Sequence, residues 1–108
     1  MKTFNKLVRD KIPEIIKSNN EIPTTRVLDD KEYKEELLRK LLEECNEVIN
    51  ASTKEETLEE IADTLEVLDS LIKLNNSSLE EVRKIQDTKR TKRGGFEKRL
   101  YLIKTEEK

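Results

Sequence analysis

The chain has 108 residues, which suits one domain spanning 1–108, with 33% hydrophobic and 43% charged residues but a net charge of only −2. The mixed signs exclude a one-sign disordered tail. One cysteine, Cys45, and no histidine exclude an internal disulfide framework, Ser-His-Asp and Cys-His catalysis, and any histidine-ligated metal.

Residues 1–12 mix apolar Phe4, Leu7, Val8 and Ile12 with basic Lys2, Lys6, Arg9 and Lys11, without an apolar stretch of signal-peptide form. No segment is long and apolar enough to span a bilayer, so a soluble cytoplasmic protein is expected. Pro13 suits the first turn of a short helix, PEIIKS, which Ser18-Asn19-Asn20 should end. EIPTTRVL reads as an extended connector, because Pro23 holds Ile22 away from helical angles.

Asp29 or Asp30 caps a long second helix, whose apolar positions are Tyr33, Leu37, Leu38, Leu41, Leu42, Cys45, Val48 and Ile49. Cys45 falls in that stripe and is expected in the core. Asn50 to Thr53 is the break, and Thr53-x-x-Glu56 has the form of a capping box opening a third helix. That helix carries Leu58, Ile61, Ala62, Leu65, Leu68 and Ile72 on one broad stripe, with Val67 and Leu71 off it. A second buried face is therefore expected, and with it an oligomer interface. Asn75 to Ser78 ends the helix, and Ser78-x-x-Glu81 opens a fourth with Leu79, Val82 and Ile85 facing inward. After the basic run KRTKR and the pair Gly94-Gly95, FEKRLYLI has the aromatic and β-branched content of a short strand that could pair near Phe4. The expected fold is all-α: about four helices in a bundle with a short C-terminal strand, completed by oligomerisation because the core is thin.

The chemistry lies in two acidic couples, Glu43-Glu44-x-x-Glu47 on the second helix and Glu60-x-x-Asp63 on the third. Residues three apart on a helix share a side. The short connection favours antiparallel neighbours, so Glu44 and Glu47 can face Asp63 and Glu60. Converging carboxylates repel one another unless a cation lies between them, and an all-oxygen donor set suits Mg²⁺. Such an ion points to a phosphorylated substrate. Glu47 is the carboxylate assigned to orient or deprotonate an attacking water. Glu43 is read as a solvated neighbour, with an outer-ligand role left open. Spacing alone is weak evidence, since Glu32-x-x-Glu35 and Glu66-x-x-Asp69 have the same form and read as solvated faces. Lys6, Arg9, Lys11, Lys92, Arg93 and Arg99 are candidate phosphate clamps among 22 basic residues. Gly94-Gly95 reads first as a bend and second as a phosphate-facing loop.

The acidic pattern resembles the metal-binding signature of the MazG-like, all-α nucleoside triphosphate pyrophosphohydrolases. The opening NKLVRDKIPEII and the closing KRGGFEKRLYL resemble small single-domain members called phosphoribosyl-ATP pyrophosphohydrolase-like. The likeness runs from about Asn5 to Leu102. It implies an oligomeric helical core in which Glu44, Glu47, Glu60 and Asp63 hold Mg²⁺ or Mn²⁺. It further implies hydrolysis of a nucleotide to the monophosphate and pyrophosphate, with nucleotide-pool housekeeping at least as apt as histidine biosynthesis. The expected partners are the nucleotide and further copies of the chain, as homodimer or homotetramer, with no membrane and no specific nucleic acid. The alternatives are a noncatalytic helical interaction module and, least favoured by the net charge and scattered aromatics, a nucleic-acid binder using KRTKR.

Overall fold

Side-chain caps set where each long helix begins. In the structure, a computed structural model describing residues 1–108, the Asp29 carboxylate accepts from the Glu32 N–H at 2.8 Å and starts α2, Asp30–Asn50. Thr53 accepts from the Glu56 N–H at 3.1 Å and starts α3, Lys54–Leu74. Ser78 accepts from the Glu81 N–H at 3.2 Å and starts α4, Leu79–Arg93. Between α2 and α3 the Glu56 carboxylate turns back to accept from the Ser52 N–H at 3.2 Å, so the box closes one residue ahead of the cap. A short α1, Ile12–Ser18, precedes them, with Pro13 in its first turn where no N–H is needed.

Two asparagines end helices. Asn20 and Asn76 have φ of 64° and 57° and take the left-handed position that closes a helix. After α3 the Ser77 N–H reaches the Ile72 carbonyl (3.1 Å) and the Asn76 N–H reaches that of Lys73 (3.0 Å), the paired bonds of a Schellman ending. Gly94, at φ 82°, ends α4, which supports its reading as a bend.

The chain is all-α, with four helices. The C-terminal strand expected over FEKRLYLI is absent. An Arg99 N–H to Phe96 carbonyl bond of 3.0 Å makes a turn there instead, and Leu100 to Ile103 run exposed with no partner strand. A strand of that composition requires a ladder partner, and the segment around Phe4 does not supply one. No helix is long and apolar enough to cross a membrane.

α2 and α3 form an antiparallel hairpin across the three-residue link Ala51-Ser52-Thr53. Its seam differs from the sequence expectation. The two buried side chains of the protein are Leu37 (3% exposed) and Val67 (7%), and they meet at this seam with Leu41, Val48, Thr64 and Leu71 half-buried along it. The face that pairs on α3 is therefore the narrow one carrying Val67 and Leu71. The broad stripe of Leu58, Ile61, Leu65 and Leu68 stays exposed. Cys45 is exposed rather than in the core, and α4 has no buried residue, so Leu79, Val82 and Ile85 do not face a closed interior. The cause is simple: α4 approaches α3 only sparingly and α2 not at all, so nothing covers the stripe.

Because the hairpin rests on so little interior, Leu37 carries unusual weight. Leu37→Ala should lower stability by about 2–4 kcal/mol, whereas Leu102→Ala in the exposed tail should cost under about 0.5 kcal/mol. Urea unfolding of both variants checks this, and equal losses would contradict the seam described.

Candidate metal centre

The seam also sets the acidic site. Along α2 the inward positions Leu37, Leu41, Glu44 and Val48 recur at helical spacing; along α3 they are Glu60, Thr64, Val67 and Leu71. Glu44 and Glu60 are thus drawn towards each other at the end of the hairpin nearest its turn. Asp63 lies one turn along from Glu60. Carboxylate oxygens of Glu44, Glu60 and Asp63 fall within 4.8 Å of one another, all three residues half-buried.

Glu44 has only 12% of its side chain exposed. Burial pushes its carboxyl above the ordinary carboxylate range, and the charges of Asp63, Glu43 and Glu47 push it further, against the pull of Lys40. Glu60 is also raised, first by desolvation and then by the charges of Asp63, Glu47 and Glu44. Two raised carboxyls in one seam are a mark of negative charge held together by the fold at a cost.

The structure sorts the sequence candidates. It brings together Glu44, Glu60 and Asp63. Glu47 stays exposed and outside that group, though near enough for its charge to act on both Glu44 and Glu60. Glu43 is exposed beside Lys40. Among the basic candidates Arg9 alone reaches the site: its Nη2 donates to Asp63 Oδ1 at 2.6 Å across the N-terminal segment. Lys6 instead lies over the Phe4 ring, 5.9 Å from its centre. Lys92 and Arg93 line a basic groove on α4 with Lys84 and Lys89, and neither they, Lys11 nor Arg99 bonds to the acids. One participant escaped the sequence reading: Lys40, whose Nζ stands 3.9 Å from both Glu43 and Glu44. Its signal was the spacing of three and four residues to those acids on one helix.

The donor set fits a hard divalent cation. All nearby donors are carboxylate oxygens, histidine is absent from the chain, and the three residues are half-buried rather than shut off from water, as an ion that keeps water in its shell requires. Arg9 and Lys40 supply part of the missing positive charge.

Comparison with known proteins adds little beyond this geometry. No family model matches the chain, and no solved structure matches it. A protein of Mycolicibacterium smegmatis described only as uncharacterized is 45% identical over 53 residues, covering 49% of this chain and 54% of that protein. The chain thus spans about half the length of the curated relative it matches.

Raised carboxyls give the pH dependence a definite sign. Between the ordinary carboxylate value and the raised folded ones, the native protein binds more protons than the unfolded chain, so stability falls as pH rises through that window. Without divalent ions, Glu60→Gln should flatten this fall and raise the melting midpoint at about pH 7.5 by a few degrees, with little change near pH 4.5. Melts followed by circular dichroism in a chelator decide it; a variant less stable than wild type at both pH values would contradict the charge crowding.

Proposed function

We propose that the chain is a divalent-cation-dependent nucleotide pyrophosphohydrolase of MazG-like type, acting in the cytoplasm to clear surplus or noncanonical nucleotides. The observation that carries this reading is the convergence of Glu44, Glu60 and Asp63 across the helix seam. The motif likeness at both ends of the chain adds to it.

Glu44, Glu60 and Asp63 would hold Mg²⁺ or Mn²⁺, with Glu47 on the exposed side of the same cluster. When bound, the ion would neutralise triphosphate oxygens and favour ionisation of water. Glu47, with the freest carboxylate, orients the water or takes its proton. The water oxygen attacks the α-phosphorus, the bond from that phosphorus to the bridging oxygen breaks, and pyrophosphate leaves with the bridging oxygen. Arg9 is already at the site and can exchange its carboxylate partner for a phosphate at the same reach. Lys40 tempers the charge on Glu44. Lys6, Lys11, Lys92, Arg93 and Arg99 remain the further candidates for holding the leaving pyrophosphate. The nucleotide is one partner, and further copies of the chain are the other.

A second reading, a noncatalytic helical interaction module, is favoured by the exposed apolar stripe of α3. Incubation with a panel of nucleoside triphosphates and Mg²⁺, with products resolved, separates the two. Monophosphate and pyrophosphate are expected, with turnover reduced by about 10²-fold or more in Glu47→Gln and in Glu60→Gln. Diphosphate with orthophosphate, or no turnover across the panel, would sink the hydrolase.

A further inference from the structure

One polar bond ties the beginning of the chain to the helix hairpin. Arg9 Nη2 donates to Asp63 Oδ1 at 2.6 Å, across 54 residues of sequence. Every other side-chain hydrogen bond stays local, the widest joining Arg90 to Glu97 across seven residues. α1 packs on no other helix, and the Ile12 N–H, bonded to the Arg9 carbonyl at 3.0 Å, mounts the arginine at the entry to α1. The N-terminal segment therefore holds one cation against the acidic seam.

That pairing leaves most of the guanidinium unused. Arg26 grips Glu32 with both terminal nitrogens, Nη1 at 3.2 Å and Nη2 at 2.7 Å, one on each carboxylate oxygen. Arg9 meets Asp63 through a single nitrogen and a single oxygen, and its remaining N–H groups have no partner in the protein. The Arg9 side chain is 58% exposed and that of Asp63 44%, so water screens the contact and it holds neither group firmly. A guanidinium with a free fork favours a ligand that fills it, and a phosphate group does so with two oxygens.

The acids it faces are short of positive charge. Glu44 has Lys40 at 3.9 Å, Asp63 has Arg9, and Glu60 has no basic partner. A divalent ion would satisfy the three carboxylates, but at Asp63 it would share one carboxylate with a guanidinium. The two positive charges oppose each other across it. A polyphosphate reverses that opposition, because its oxygens bring negative charge to both cations and fill the fork that Asp63 leaves open.

We propose that Arg9 makes the acidic seam selective for a divalent ion that arrives carrying phosphate: the guanidinium opposes the bare ion and favours the metal–polyphosphate complex. This coupling rests on reading Glu44, Glu60 and Asp63 as a metal centre, and it adds to that reading the form in which the ion enters. Ion and polyphosphate are linked through one side chain, so each tightens the other by the same factor. Lys40, on the same helix as its two acids and with its side chain 21% exposed, is by contrast a counter-charge common to both states.

Equilibrium dialysis of the full chain against Mn²⁺ alone, and against Mn²⁺ with inorganic pyrophosphate, tests this without turnover. In Arg9→Ala the dissociation constant for bare Mn²⁺ should fall about threefold or more, while that for Mn²⁺–pyrophosphate should rise about fivefold or more. Arg9→Gln, which keeps a donor and loses the charge, should shift both constants in those same directions. An arginine that merely held Asp63 in place would raise both constants when removed, and that result overturns the coupling. Unchanged constants overturn it too, and in either case a wild type that retains Mn²⁺–pyrophosphate leaves the hydrolase standing. Mn²⁺ retained without pyrophosphate by all three proteins overturns the coupling and counts against the hydrolase as well. No Mn²⁺ retained by any of them, with or without pyrophosphate, overturns the metal centre and the coupling together.

Discussion

The structure depends on how α3 is rotated against α2. Val67 and Leu71, not the broader stripe, meet Leu37 and Leu41, and that single angular choice fixes everything around it. It draws Glu44 and Glu60 into the seam, places Asp63 beside them and leaves the larger apolar surface outside. A hairpin paired through its broad stripe would have buried more leucine and dispersed the acids over separate faces. The seam has little apolar material in return, and two buried side chains, Leu37 and Val67, would be a poor interior for any domain of this length. The crowded carboxylates and the uncovered leucines are two consequences of one packing decision.

Those consequences pull in the same thermodynamic direction. Desolvated acids that repel one another weaken the folded chain, and exposed leucine stripes fail to strengthen it. The first deficit is of the kind that bound positive charge removes, and on the proposed reading a divalent cation carrying a polyphosphate would relieve the acids. Arg9 and Lys40 are partial answers to the first. Their modest exposed pairings contribute little stability by themselves, but they show where positive charge is wanted. Marginal stability of the isolated chain and a capacity to bind are, on this account, the same property.

Much of this was legible in the sequence. Thr53 and Ser78, each followed three residues on by glutamate, located two helix starts, and the clusters Asn19-Asn20 and Asn75-Asn76 located two ends, because capping is a local hydrogen-bond transaction. The approach of Glu44 to Asp63 was legible too, since a short link forces antiparallel neighbours and helical spacing does the rest, but Glu47, expected opposite Glu60, stays outside the group and Glu44 takes that place. Which face of α3 turns inward was not. Periodicity reports that Val67 and Ile61 lie on different faces, yet it contains nothing about which of them a neighbour will occupy. Cys45 was misplaced for the same reason, being one residue past a seam position. The tail from Phe96 to Ile103 has strand composition but no ladder partner, and strand formation is decided by the partner. Lys40 was overlooked because a lysine among glutamates on a charged helix looks like ordinary surface until its neighbours are seen to be buried.

The claim at the centre is that the α2–α3 seam concentrates divalent-cation binding at one place on a protein whose 24 acidic residues are spread among 22 basic ones. Paramagnetic broadening of amide resonances by substoichiometric Mn²⁺ measures this directly. The account predicts early, localised loss of signal at residues 43–47 and 60–63, while the equally acidic starts of α2 and α4, at Glu32 and at Glu80 and Glu81, stay sharp. Broadening spread evenly over all acidic turns, or strongest at the exposed Glu106 and Glu107, would contradict it.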